Sequence, residues 1–147
     1  MNLENEVISI ELAKKLLTLG VKQDSFFVWE YYDDKCFGVK FIPYAVVPCQ
    51  TNNFKLYSAF TAGELMELLP PLVDTKMNEP FNIFWLSIKK RSAKNIQYIA
   101  RYVCDSIPGN AIDNPFYEIT HPHIKAHAEK LSDCLALMLI SLIEDGQ

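Results

Sequence analysis

At 147 residues the chain has the length of one domain, with half its residues hydrophobic and 22% charged. Chains of this size bury about 70% of their unfolded surface, so the composition excludes a disordered chain, a collagen-like repeat and a disulfide-dependent miniprotein. Fourteen basic residues against 18 acidic give a net charge of −4, which argues against nucleic acid as the partner of a globally basic surface.

The segment Met1–Glu6 is acidic and lacks the basic and apolar regions of a secretory signal. The longest apolar run, Leu135 to Ile143, is broken only by Ser141 and falls well short of the roughly 20 residues of a membrane span. Cys36, Cys49, Cys104 and Cys134 are scattered without a C-x-x-C pair. The expectation is a single cytoplasmic domain over 1–147, with no membrane association and free thiols. Cys36, Cys104 and Cys134 lie in apolar stretches and read as small buried hydrophobes.

In chain order, residues 9–19 read as a helix. Ser9 stands at the N-cap, Glu11 in the first turn, Leu12, Leu16 and Leu19 form a stripe, and Gly20 supplies a left-handed C-cap with Val21 folding back on Leu16. Phe26 to Tyr32 is an aromatic strand with Phe27, Trp29 and Tyr31 on one face. Asp33-Asp34-Lys35 turns the chain into a second alternating run, Cys36 to Ile42, with Phe37, Val39 and Phe41 on one side. Pro43, Pro48 and Gln50-Thr51-Asn52-Asn53 predict a loop, and Phe54 to Ser58 a short edge strand. Thr61-Ala62-Gly63-Glu64 matches the capping box of a short helix that Pro70-Pro71 ends. Residues 72–80 read as a connector. Phe81 to Ile88 and Ile96 to Cys104 read as a second hairpin with a basic tip, and Asp105 to Pro122 as mostly loop. A final helix is predicted from about Ile124 to Glu144, lined by Leu131, Leu135, Met138 and Leu142. The expected fold class is α+β, an antiparallel sheet of four or five strands in two hairpins, packed against three helices.

Few residues point to chemistry. His121, His123 and His127 cluster within seven positions, and a helix would place His123 and His127 on one face, a weak candidate metal set. The glutamate of an H-E-x-x-H pair is missing, and Pro122 holds His121 ahead of the helix. No G-x-S-x-G elbow, phosphate-binding loop or dinucleotide turn occurs, so no catalytic residue is assigned and no cofactor is implied. Lys89, Lys90, Arg91 and Lys94 form the one basic cluster, a candidate contact for phosphates or an acidic protein patch. Lysines at strand ends also discourage edge pairing.

Three blocks carry a resemblance. Ile10-Glu11-Leu12-Ala13-Lys14-Lys15-Leu16 through Ser25, Tyr57-Ser58-Ala59-Phe60-Thr61-Ala62-Gly63-Glu64-Leu65 through Pro70, and Cys134-Leu135-Ala136-Leu137-Met138-Leu139-Ile140 through Glu144 are similar to small uncharacterised proteins of bacteriophages and prophages. That resemblance implies an origin and no activity. The region from Phe81 to Cys104 and the histidine segment have no counterpart in it.

Two function classes follow. One is a phage- or prophage-derived accessory protein working through a protein partner. The other is a small hydrolase or metal-dependent enzyme built on His121, His123 and His127. The apolar surplus from Leu135 to Ile143 adds a further expectation, a homodimer through the last helix, against a helix buried centrally in its own domain.

Overall fold

The computed structural model describes residues 2–42, 51, 53–74, 83–92, 96–105 and 118–146. Residues 43–50, the connector beyond Asp74, Lys94 and the 106–117 part of the loop predicted from Asp105 to Pro122 lie outside them, as do the side chains of Cys104, His121 and His123; the two ends of that predicted loop, Asp105 and 118–122, are strand instead.

After a 3-10 turn at Leu3–Asn5 comes α1, Ile10–Thr18. Its C-terminus closes as the sequence dictates. Gly20 takes φ +81°, and the N–H groups of Gly20 and Val21 donate to Leu17 O and Leu16 O, each at 3.0 Å. The N-terminus corrects the sequence reading. Ser9 occupies the N-cap position, but its hydroxyl makes no capping bond. Tertiary contacts hold this end instead: Ser9 N–H donates to Asp133 Oδ1 at 2.7 Å, and Ile8 N–H donates to Phe60 O.

β1 (Phe27–Tyr32) and β2 (Lys35–Phe41) form the first hairpin. Asp33 and Asp34 both have positive φ, +46° and +58°, the backbone hand that suits a two-residue hairpin turn. Glu30 pairs with Gly38 and Tyr31 with Cys36, which leaves Phe37 as an extra residue in β2. This bulge breaks the predicted alternation. Val39 packs against the core, whereas Phe37 and Phe41 are exposed. Cys36 is exposed as well, which corrects its reading as a buried hydrophobe. β3 (Phe54–Ser58) pairs with the other side of β1 and is an edge, in the order β2-β1-β3.

α2 (Ala62–Leu68) starts with the predicted capping box. Glu64 N–H donates to Thr61 Oγ1 at 3.2 Å, and Thr61 N–H donates to Glu64 Oε2 at 2.6 Å. This capped helix carries the chain away from the first sheet. A three-residue strand, β4 (Leu72–Asp74), lies within the expected connector and opens a second sheet with β5 (Ile83–Ser92), β6 (Ile96–Asp105) and β7 (Glu118–Ala128). Its order is β4-β5-β6-β7, antiparallel throughout. The fold is therefore α+β, with three α-helices among the described residues and their strands divided between two sheets rather than gathered in one.

α3 runs from Leu131 to Glu144. The predicted start at Ile124 is corrected, because residues 124–128 belong to β7. Ile124 and Ala126 are buried while Lys125 and His127 are exposed, a period-two pattern that only a strand produces. α3 packs against α1, α2, β6 and β7. Cys134, Leu135 and Met138 are fully buried, and Leu139, Ile140 and Leu142 nearly so. The apolar surplus is met within the chain, as the central-helix account requires. Burying each of these side chains contributes about 1.5–3 kcal/mol. Trp29 ties the first sheet into the same core, its Nε1–H donating to Ile8 O at 2.9 Å.

Candidate functional site

A concavity lies between α2 and β5. It is a cavity of about 530 Å³ lined by Met66, Glu67, Leu69, Pro71, Trp85, Leu86 and Ile88. Met66, Trp85 and Ile88 are exposed, and Leu68 of α2 and Leu72 of β4 add exposed apolar surface nearby. Large apolar side chains gathered this way in a soluble chain mark a contact surface. Among the described residues of the lining Glu67 is the one ionisable group, so they offer apolar contact with a single carboxylate.

The local sequence explains why the groove stays open. Pro70-Pro71 ends α2, where Leu69 N–H makes the last helical bond, to Leu65 O. β4 then pairs with β5 over only three positions, Leu72 with Trp85, Val73 with Phe84 and Asp74 with Ile83. Among the described residues, no strand flanks β5 on that side from Leu86 onward.

The predicted basic tip is in part strand, its remainder with Lys94 lying outside the described residues. Lys89, Lys90 and Arg91 lie within β5, paired with Ile99, Tyr98 and Gln97, and strand alternation sends them to two faces. Lys90 Nζ sits 5.6 Å from the Tyr98 ring centroid, on the face that carries α3. Lys89 and Arg91 fall on the opposite face. There the register aligns Lys89 with Ile99 and His127, and Ser87 with Arg101 and Lys125. Lys89, Arg91, Arg101, Lys125 and His127 thus stand on this face of the sheet. Sequence reading missed this face, although the alternation of Ile124, Ala126 and Ala128 with Lys125 and His127 was there to find.

The candidate metal set changes for the same reason. All three histidines lie in β7. His123 and His127 are then four strand positions apart, about 13 Å along the chain rather than one helical turn. His127 is exposed. Among the described residues no three His, Cys, Asp or Glu side chains come together as a metal site.

A second cavity, about 300 Å³, is lined by Asn5, Glu6, Ala62, Tyr98, Glu129, Lys130, Leu131 and Ser132. The Lys130 ammonium beside it is already engaged, donating to Val7 O at 2.9 Å and Glu4 O at 3.2 Å. Two buried groups have raised pKa values. Burial pushes the Tyr102 phenol up to about 12, and burial likewise raises the Cys134 thiol. Tyr102 OH donates to Pro70 O at 2.5 Å, so this phenol buttresses the bend beneath the groove.

Comparison with protein-family models, with curated proteins and with solved structures yields no match. Among the described residues, no helix is long and apolar enough to cross a membrane.

Proposed function

We propose that the chain is a non-enzymatic accessory protein that acts by protein–protein contact through the groove between α2 and β5. The observation that carries this reading is the apolar lining, in which Met66, Trp85 and Ile88 are exposed beside Leu69, Pro71 and Leu86, with Glu67 the one charge among the described residues. Trp85 is the residue type that anchors interfaces most often. A phage or prophage origin, implied by the resemblance of the three sequence blocks, belongs to the same proposal. The homodimer expected through the last helix loses its motive, since α3 spends its apolar residues inside the chain.

The test is comparative capture. The wild-type chain and a Met66→Glu variant are immobilised and exposed to the same cell extract. Met66 is exposed on α2, so the substitution leaves the core intact and places a carboxylate in the groove. Proteins retained by the wild type should be lost from the variant, at unchanged circular dichroism. Equal retention by both overturns the groove as the contact site.

A further inference from the structure

We propose that Tyr31 and Tyr57 form a binding site for a quaternary ammonium group, a site that the chain's own Lys14 fills in the absence of such a ligand. This site is separate from the groove and does not depend on it.

The strand register builds the site. β1 and β3 pair Trp29 with Tyr57 and Tyr31 with Lys55, so Tyr31 and Tyr57 are diagonal neighbours on one face of the first sheet, close enough for their rings to meet. Their centroids are 5.9 Å apart with the planes at 90°. α1 packs on β3 and brings Lys14 Nζ to 4.4 Å from the Tyr31 centroid and 5.6 Å from that of Tyr57. Both distances lie within the roughly 6 Å reach of a cation–π contact. The two rings therefore already hold a cation.

The surroundings of that cation say which kind suits them better. Among the described residues Lys14 Nζ has neither a carboxylate nor a hydrogen-bond acceptor. A lysine ammonium is strongly hydrated and carries three N–H donors, for which the π faces are poor substitutes for water. A quaternary ammonium has no N–H to satisfy, and aromatic faces are its usual recognition surface. Lys14 is exposed, so its flexible stem turns into solvent at little cost. Tyr31 and Tyr57 are partly buried and fixed by the sheet, so the rings keep their places when it leaves. The Lys55 ammonium next to Tyr31 is set against Asp34 at 3.5 Å, which offsets its repulsion of an incoming cation.

The probes are choline and a short peptide carrying one trimethyllysine, each titrated into the full chain and followed by the NMR shifts of the Tyr31 and Tyr57 ring protons. The comparators are the uncharged tert-butyl analogue of choline and the same peptide with unmodified lysine. The charged, methylated probes should move both rings and the comparators should not. Lys14→Ala should tighten binding about fivefold, the weight of the internal cation–π contacts it removes. Tyr31→Leu, at unchanged circular dichroism, should abolish binding.

Binding of the peptide alone would support the site with a methylated protein as the source of the ligand, and binding of choline alone would support it with a free amine. Equal shifts from the uncharged analogue would show apolar contact without recognition of charge and would overturn the inference. Equal binding of unmodified lysine would overturn it as well. Where Tyr31→Leu does not fold, the comparison of choline with its uncharged analogue on the unaltered chain decides. No ring shift in either the unaltered chain or Lys14→Ala would show that the two tyrosines only anchor α1, and the inference falls.

Discussion

Tyr102 is a fully buried phenol whose hydroxyl donates to Pro70 O. Burial favours its neutral form, so the folded state holds the proton to about pH 12, whereas an unfolded tyrosine releases it near 10. Below pH 10 both states are protonated and the group adds no pH dependence. Between 10 and 12 the unfolded state ionises first, and the fold loses about 2–3 kcal/mol. Tyr102→Phe should cost about 1 kcal/mol at neutral pH through the lost hydrogen bond and should flatten the alkaline decline. Denaturation midpoints of both proteins at pH 7 and pH 11 check this, and parallel declines would show that Tyr102 does not set it. Cys134, also raised, is present in both proteins and cancels from the comparison. The sequence placed Tyr102 in a strand, but which strand face meets α3 is a tertiary fact that local pattern does not carry.

At the scale of elements, signals that act within a few residues were legible. The Thr61–Glu64 box and the Gly20 closure form as their sequences dictate, because both partners of each bond lie on the same short segment. Ser9 belongs to the same capping class yet makes no cap, since its backbone is held by Asp133, 124 residues away. Thr61→Ala should therefore destabilise the fold by about 1 kcal/mol, read as a lowered denaturation midpoint, and an unmoved midpoint would show that the box contributes nothing. β7 escaped detection because the turn signals Pro108-Gly109-Asn110 and Asp113-Asn114-Pro115 carried the loop reading on to Pro122, and the apolar run of α3 extended backwards through Ile124. Pro122 is tolerated because β7 is an edge strand with irregular pairing here: Arg101 pairs with Lys125 but Val103 with Thr120. The candidate site was half legible. Lys89, Lys90 and Arg91 stood out as charge, but the groove depends on α2 lying beside β5, a juxtaposition no local motif announces.

The whole molecule is organised around α3. One contiguous core joins Trp29 of the first sheet, Leu65 of α2, Tyr102 and Ile124 of the second sheet, and the buried side of α3. With that helix covered by α1, α2, β6 and β7, the chain should sediment at micromolar concentration as a monomer of 16.9 kDa. A doubled mass that survives Met66→Glu would show that α3 keeps a face for a partner after all. The shared core also predicts that the two sheets unfold together. Trp29 is buried in the first sheet, so in a Trp85→Phe background its emission reports that sheet alone. Cys134 is buried between α3 and the second sheet, its Sγ 3.5 Å from both Tyr98 O and Ala126 O, so its labelling by a thiol reagent reports separation of those two layers. In a denaturant series the Trp29 and Cys134 transitions should share one midpoint. Leu135→Ala, which opens a cavity at a fully buried position, should lower both equally, by about 2–5 kcal/mol. Two separate midpoints would show that each sheet has a core of its own and that α3 serves only the second.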